Sequence, residues 1–401
     1  MNTLPTTSTA ASGPFGVTAP AGFRASGVPA GLKSTGARDV AVVVNDGPRK
    51  AAAAVFTSNR VAAAPVTWSK QVVGDGRADA VVLNSGGANA CTGPEGFGNT
   101  HRTAEHAADA LGIGAADTIV CSTGLIGVQL PMDRLIGGVD AAVAALGTGG
   151  EHDGGAAAAA AIMTTDSVSK QSGFAGTGYS IGAMAKGAGM LAPGLATMLV
   201  VVTTDADVDP ASLDTALRAA TRVSFDRTDS DGCMSTNDTV VLMASGASGT
   251  VPDADEFAAG LAAVCTDLAQ QLITDAEGAG HDIAIRTVGA ASEADAEIVG
   301  RAVARSNLFK TAIFGQDPNW GRILSAVGTT DAAFEPDQLD VTINGITVCR
   351  GGGVGDDRDL VDLTGRDVSV EIDLNAGAAE ATIWTNDLTH EYVHENSAYS
   401  S

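Results

Sequence analysis

The sequence predicts an α/β fold, and three observations predict it. Short apolar, β-branched runs recur along the chain, several of them closing on Gly, Ser or Asn. Segments with apolar residues at three- and four-residue spacing lie between them, the mark of one-sided helices. The last third changes character to closely spaced strands around a tight Asn-Gly turn, so a smaller α+β region is expected there.

Residues 1–15, "MNTLPTTSTAASGPF", are polar and turn-rich and are expected to form a loose N-terminus. "AVVV" (41–44), "AVVLN" (80–84) and "TIVC" (118–121) read as strands. "GNTHRTAEHAADALG" and "PMDRLIGGVDAAVAALG" read as helices with small apolar faces. "MLVVVTT" (198–204) is a strand, and a helix follows near 210–221 with Pro210 suited to its first turn. "TVVLMASG" (239–246) is another strand. In "DADEFAAGLAAVCTDLAQQLITDAEG", Phe257, Leu261, Val264, Cys265, Leu268 and Leu272 mark a long helix. "VTINGITV" (341–348) is a hairpin, and "DVSVEIDL" and "AEATIWT" add two strands.

Composition narrows the function classes. A chain of 401 residues can hold one large domain or two to three smaller ones. Hydrophobic residues make up 45% but aromatics only 4%, so the core is built from Ala, Val, Leu and Ile. A formal charge of -24 argues against nucleic acid and anionic membranes as partners. Cys91, Cys121, Cys233, Cys265 and Cys349 are odd in number and widely spaced, with no C-x-x-C. That pattern fits reduced thiols in a cytoplasm better than a disulfide or zinc framework. No basic-then-apolar signal opens the chain and no apolar run reaches about 18 residues. A cytoplasmic protein is therefore expected, with neither membrane nor nucleic acid as partner.

Two motifs carry less than they promise. "HEYVH" (390–394) matches H-E-x-x-H, a zinc signature when it lies on a helix. It follows a strand, contains Tyr-Val and leaves only seven residues for a third ligand, so a chance match is expected and no metal site. "GTGYSIG" (176–182) has the wrong glycine spacing for a dinucleotide loop and reads as turns. The chain has no G-x-x-x-x-G-K-[ST].

"GAGMLAPGLATMLV" (187–200) is more informative. A glycine-rich loop ends at Ala196, and Thr197 opens the buried strand. Threonine becomes a nucleophile without a partner side chain when it stands at a chain terminus, where its own α-amine takes the hydroxyl proton. Such an amine titrates near pH ~7.7–8.0, suited to a general base. An internal Thr197 would first have to be released by cutting the Ala196–Thr197 bond. The small Ala196 leaves its carbonyl open to Oγ, and the glycine-rich loop can form the sharp turn such an acyl shift needs. On these features alone, an ordinary loop-to-strand threonine is the commoner case.

The surrounding segment, "MAKGAGMLAPGLATML", resembles the cleavage segment of the ornithine acetyltransferase (glutamate N-acetyltransferase) family of arginine biosynthesis. "NSGGANACTG" (84–93), "CSTGLIG" (121–127), "IMTTD" (162–166), "STNDTV" (235–240), "DAEG" (275–278), "FGQDPNWGR" (314–322) and "ENSAYSS" (395–401) resemble family blocks in the same order. The likeness spans nearly the whole chain. One departure is Gly194, where the family often has a polar residue such as Asn; it bears on side-chain help during cleavage.

The resemblance implies a four-layer αββα sandwich of the self-processing aminopeptidase/acetyltransferase type. Residues 16–285 would form the catalytic domain, and 286–401 a smaller α+β region whose tail returns to the active site. Cleavage would give an α chain, 1–196, and a β chain, 197–401, assembled as an α2β2 heterotetramer. Thr197 would carry acetyl from N2-acetyl-L-ornithine to L-glutamate, with no cofactor. Thr123 and Gly124 match the oxyanion-hole pair, residues that otherwise read as a strand-ending turn. Lys186 matches a substrate-binding lysine, suited to the α-carboxylate of both substrates; it otherwise reads as a surface lysine. Glu277, otherwise a helix-end surface charge, matches a substrate-binding acid. Thr164 or Thr165, Asn396 and Ser401 match the remaining substrate contacts. Three alternatives share these residues: a member that also accepts acetyl-CoA, a paralogue in a secondary pathway, and a self-processed amidase or aminopeptidase in which water replaces glutamate.

Overall fold

The computed structural model describes residues 16–147, 153–191 and 198–398. In chain order the strands are β1 (Phe23–Val28), β2 (Val40–Asn45), β3 (Ala51–Phe56), β4 (Ala80–Asn84), β5 (Thr118–Ser122), β6 (Lys170–Gly176) and β7 (Tyr179–Lys186). They continue with β8 (Leu199–Thr204), β9 (Thr239–Ala244), β10 (Asp282–Ala290), β11 (Asp340–Ile343), β12 (Ile346–Arg350), β13 (Gly353–Val354), β14 (Asp367–Asp373) and β15 (Ala379–Asn386). The helices are α1 (Ala64–Val72), α2 (Gly93–Leu111), α3 (Met132–Ala145), α4 (Asp153–Ala161), α5 (Pro210–Val223), α6 (Ala254–Thr274), α7 (Glu293–Ala304), α8 (Asn307–Phe314), α9 (Trp320–Val327) and α10 (His390–Ala398).

Side-chain alternation along the strands sets the layers. In β2, Val40, Val42 and Val44 pack with Leu135, Val139 and Ala142 of α3 and Ala107 of α2. Ala41 and Val43 face the other way and meet Met184 of β7, Leu199 and Val201 of β8, and Val241 and Met243 of β9. Val200 and Val202 of β8 point out to Leu213 and Leu217 of α5 and Leu261, Val264 and Leu268 of α6. Helices, a four-stranded sheet (β1-β2-β4-β5), a five-stranded sheet (β3-β9-β8-β7-β6) and helices again stack in that order. This is the αββα arrangement the family resemblance implies. Both sheets are buried on both faces, which is why β2, β4, β8 and β9 read as continuous apolar runs.

The sides of the sandwich are closed too. α1 packs against β5 and α4 against β1, with Trp68, Val72, Ala158 and Ala161 reaching into the space between the sheets. Pro210 stands at the first turn of α5, where the Asp209 carboxylate accepts from the Ala211 and Ser212 amides. Among the described residues, α6 is long and apolar enough to cross a membrane. It lies in the core, with Phe257, Leu261, Val264, Cys265, Leu268 and Leu272 buried.

The C-terminal layer is a six-stranded sheet, β13-β12-β11-β14-β10-β15, whose core includes Val299 and Val303 of α7 and Ile323 and Val327 of α9. Its first strand, β10, begins at Asp282, so it spans the expected boundary between 285 and 286. "GTGYSIG" is the β6–β7 hairpin, which turns between Gly176 and Tyr179.

Candidate active site

Loops from three layers meet at one end of the sandwich. β4 and β5 run parallel and end there, at Asn84 and Ser122, while β8 and β9 begin there and β7 ends there at Lys186. The cavity between these ends is lined by Ala88, Thr123, Gly124, Ile126, Thr164, Thr165, Lys186, Gly189, Met190, Ser235, Thr236, Asn237, Glu277 and Asn396. It thus gathers Thr123, Gly124, Thr164, Thr165, Lys186, Glu277 and Asn396, seven of the positions singled out in the sequence. Ala196, Thr197 and Ser401, and Gly194 with them, lie outside the described residues.

The turn after β5 is shaped by contact with the turn after β4. The Thr123 amide donates to the Asn84 carbonyl at 2.9 Å, and the Thr123 carbonyl accepts from the Gly87 amide at 3.0 Å. Gly124 has φ +127, and a Cβ there would stand 2.9 Å from the Gly87 nitrogen. The backbone at 124 therefore requires glycine. Asn237 ties this corner to the second sheet: its Nδ2 donates to the Ala88 carbonyl at 2.6 Å and the Ser122 carbonyl at 2.8 Å.

Lys186 is 1% exposed, so the surface-lysine alternative is overturned. Its Nζ lies 3.7 Å from Asp166 Oδ2. Burial pulls the Lys186 pKa down; the Asp166 carboxylate pushes it back up and the Lys170 ammonium pulls it down. Asp166 Oδ1 accepts from Lys170 Nζ at 2.7 Å and the Gly187 amide at 2.6 Å, while its Oδ2 accepts from the Thr164 amide at 2.9 Å. Burial alone would raise the Asp166 pKa. The ammonium groups of Lys186 and Lys170 outweigh it and hold the carboxyl well below the usual carboxylate range. Lys170, fully buried, also donates to Asp275 Oδ2 at 2.5 Å. A buried Asp–Lys–Asp chain thus stands behind Lys186.

Glu277 is 9% exposed and follows the C-terminal end of α6, so it too is no surface charge. Its Oε1 accepts from Thr165 Oγ1 at 2.7 Å, and its backbone amide donates to the Ala188 carbonyl at 2.9 Å. A Cβ at Gly189 would meet the Glu277 carboxylate at 2.7 Å, so glycine lets the 187–191 loop close over it. The two neighbouring threonines divide: Thr165 touches Glu277 through its hydroxyl, Thr164 touches Asp166 through its backbone.

"HEYVH" turns out to be helical, as the start of α10, which corrects the expectation from its neighbours in sequence. The His390 ring meets Phe314 edge-on, centroids 5.4 Å apart. One turn on, Asn396 lines the cavity while its Nδ2 donates to the Tyr392 carbonyl at 3.0 Å.

Sequence reasoning assigned no role to Asp166, Lys170, Asn237, Asp238 or Asp275. Four of them sit inside quoted blocks, "IMTTD", "STNDTV" and "DAEG". The available signal was a polar residue beside an apolar run, where burial demands a partner.

Chemically the arrangement pairs a buried cation and a carboxylate with a glycine-shaped turn at strand ends. That suits a small zwitterion with a carbonyl to be held. The model of the ArgJ family matches residues 24–401. The chain is 65% identical to the arginine biosynthesis bifunctional protein ArgJ of Streptomyces coelicolor, over 96% of this chain and 100% of that one. It is 54% identical to the protein of the same name from Mycobacterium leprae, over 96% of each chain. Among solved structures it is similar to an ornithine acetyltransferase from Mycobacterium tuberculosis complexed with ornithine, 52% identical over 46% of this chain and 96% of that one, with a TM-score of 0.40. It is also similar to the ArgJ protein of Bacillus halodurans, 35% identical over 49% of this chain and 97% of that one, with a TM-score of 0.47. The chain belongs to the ArgJ family.

Proposed function

We propose that this chain is a self-processed glutamate N-acetyltransferase of arginine biosynthesis, which moves acetyl from N2-acetyl-L-ornithine to L-glutamate through an ester on Thr197. The observation that carries the reading is the single cavity that gathers Thr123, Gly124, Thr164, Thr165, Lys186, Glu277 and Asn396 at the end of the sandwich where β8 begins. The high-identity relatives named for arginine biosynthesis support it.

Processing comes first. Thr197 Oγ attacks the Ala196 carbonyl, the Ala196–Thr197 C–N bond breaks, and the hydroxyl proton ends on the Thr197 nitrogen. Water then hydrolyses the ester, leaving Ala196 as a carboxylate and Thr197 with a free α-amine. In transfer, that amine takes the Oγ proton as Oγ attacks the acetyl carbonyl. Thr123 and Gly124 stabilise the resulting oxyanion. Collapse expels ornithine, whose α-nitrogen leaves with the proton. The α-amine of glutamate next attacks the acetyl ester, and Thr197 Oγ recovers a proton.

The other residues bind. Lys186 pairs with the α-carboxylate that donor and acceptor share. Glu277, oriented by the Thr165 hydroxyl, meets a substrate amine. Asn396 and Thr164 line the site, and with them Ser401 contributes the remaining substrate contacts. On this reading the α chain (1–196) and the β chain (197–401) assemble as α2β2 in the cytoplasm, and the chemistry calls for no metal or cofactor. A buried ammonium in the cavity favours amino-acid acceptors over an amidase in which water attacks.

The purified protein should give two intact masses, with the second chain starting at Thr197. Acetylornithine labelled in its acetyl group should leave the label on that second chain until glutamate is added. Thr197→Ala should stay one chain and be inactive. A fully active chain of 401 residues would overturn the mechanism.

A further inference from the structure

Asp166 takes no part in the steps above, yet three parts of the cavity wall converge on it. It lies between α4 and β6, next to Thr165, with its side chain buried. Hydrogen bonds from Lys170 Nζ, the Gly187 amide and the Thr164 amide use both of its oxygens and fix the carboxylate in place. Lys186 relates to it differently. Its Nζ stands 3.7 Å from Asp166 Oδ2, beyond the about 2.7–2.9 Å of a charge-assisted hydrogen bond. Lys170, at 2.7 Å, makes such a bond, and it is Lys186 that lines the cavity. Asp166 therefore gives Lys186 a counter-charge without taking up its N–H donors.

A lysine as buried as Lys186 needs that counter-charge. Burial alone drives a lysine toward the neutral amine, by up to about 3–5 pH units when it is complete. A neutral amine would hold a carboxylate poorly. Among the described residues, the charged or titratable groups acting on Lys186 are Asp166, Lys170, Glu277, Lys33 and Asp238. Lys170 and Lys33 repel its charge, and Lys33 is held nearby by the Met163 and Arg38 carbonyls. Glu277 accepts from the Thr165 hydroxyl. Burial raises the Asp238 pKa well above the ordinary carboxyl value, which makes that group a poor counter-ion. Asp166 is the opposite case, because Lys186 and Lys170 hold it ionised.

We infer that Asp166 is a positioning residue of the transfer reaction: its fixed carboxylate keeps Lys186 an ammonium at the cavity wall, with N–H donors open to the α-carboxylate of donor and acceptor. This rests on the reading of Lys186 as the group that meets that carboxylate. Lys170 tempers the device, since it shares Asp166 and repels Lys186, and Asp275 anchors Lys170 from behind. The signs follow. Asp166 raises the pKa of Lys186, so without its charge the ammonium is lost at lower pH. Lys170 lowers it, so without Lys170 the ammonium survives to higher pH.

Asp166→Asn and Lys170→Met test this with opposite signs. In Asp166→Asn the alkaline limb of kcat/KM for acetylornithine should move to lower pH. Assayed at about pH 8, KM for both substrates should rise about tenfold for each unit the limb falls below that pH. In Lys170→Met the same limb should move to higher pH. A merely structural role would loosen the site in both variants; limbs that stay put, or that move the same way in both, overturn the inference. Nitrogen-15 NMR of the lysine side chains needs neither variant to fold. In the wild-type protein at the same pH, the Lys186 signal, identified by its loss in Lys186→Met, should be that of an ammonium. A neutral amine there overturns the inference too. Unchanged KM values in Lys186→Met would instead sink the reading of Lys186 as the carboxylate partner, whatever its charge.

Discussion

Lys186 and Thr123 line the same cavity but act on different states of the reaction. The α-carboxylate that Lys186 pairs with is present in donor, acceptor and transition state alike. An oxyanion exists only near the transition state. Lys186→Met should therefore raise both KM values by about ten- to a hundredfold, the worth of one charge-assisted hydrogen bond. Folding should survive, because Asp166 keeps Lys170 and the Thr164 and Gly187 amides as partners. Thr123→Ala should lower kcat with smaller changes in KM, by up to the ~10²–10³ that one oxyanion donor is worth. Steady-state kinetics on both variants separate the two roles. A Lys186→Met enzyme with reduced kcat and unchanged KM values would move Lys186 from binding to chemistry or processing.

At the level of elements, the site depends on how the β4–β5 corner is pinned to the second sheet. Asn237 precedes β9, is 4% exposed, and donates across the sheets to Ala88 and Ser122. Asn237→Ala removes both bonds and strands two carbonyls, so it should cost roughly 2–4 kcal/mol of stability. A denaturation midpoint unchanged in that variant would mean water replaces the amide. The sequence was uneven as a guide to such elements. β2, β4, β5, β8 and β9 were legible because burial on both faces writes a continuous apolar run. β3, "AAAAVF", and the β6–β7 hairpin, "KQSGFAG" and "YSIGAMAK", were not. Alanine and glycine have little strand preference, and these strands form because β9 and β8 offer ladders to pair with. The site divides the same way. Family blocks named seven of the cavity residues, but the buried Asp166–Lys170–Asp275 chain joins residues about a hundred positions apart. Its charges could be paired only once the fold had brought β6 to the end of α6.

For the whole molecule, cleavage at Ala196–Thr197 would cut a chain whose two parts share one sheet. The α chain supplies β3, β6 and β7, and the β chain supplies β8 and β9. Their order is β3-β9-β8-β7-β6, so the β-chain strands are held between α-chain strands on both sides. Ladders β3–β9 and β7–β8 both cross between the chains. The layer between the sheets is mixed as well: Leu199, Val201, Val241 and Met243 pack against Ala41, Val43, Val81 and Leu83. Each such buried aliphatic side chain contributes about 1.5–3 kcal/mol that separation would forfeit. Neither part alone retains the five-stranded sheet or the core between the two sheets, so the cut protein should part only by unfolding that shared layer. Size-exclusion chromatography should show the chains in a 1:1 ratio in one particle at any practical dilution. In guanidinium, loss of far-UV circular dichroism and chain separation should coincide in one transition. Refolding on dilution should then tell the two forms apart. The uncut Thr197→Ala chain needs only to find itself, whereas the cut protein must bring two chains together. Refolding yield of the cut protein should therefore fall more steeply with dilution than that of Thr197→Ala. Chains that separate before secondary structure is lost would mean that each folds alone, and the interleaved sheet would not be what joins them.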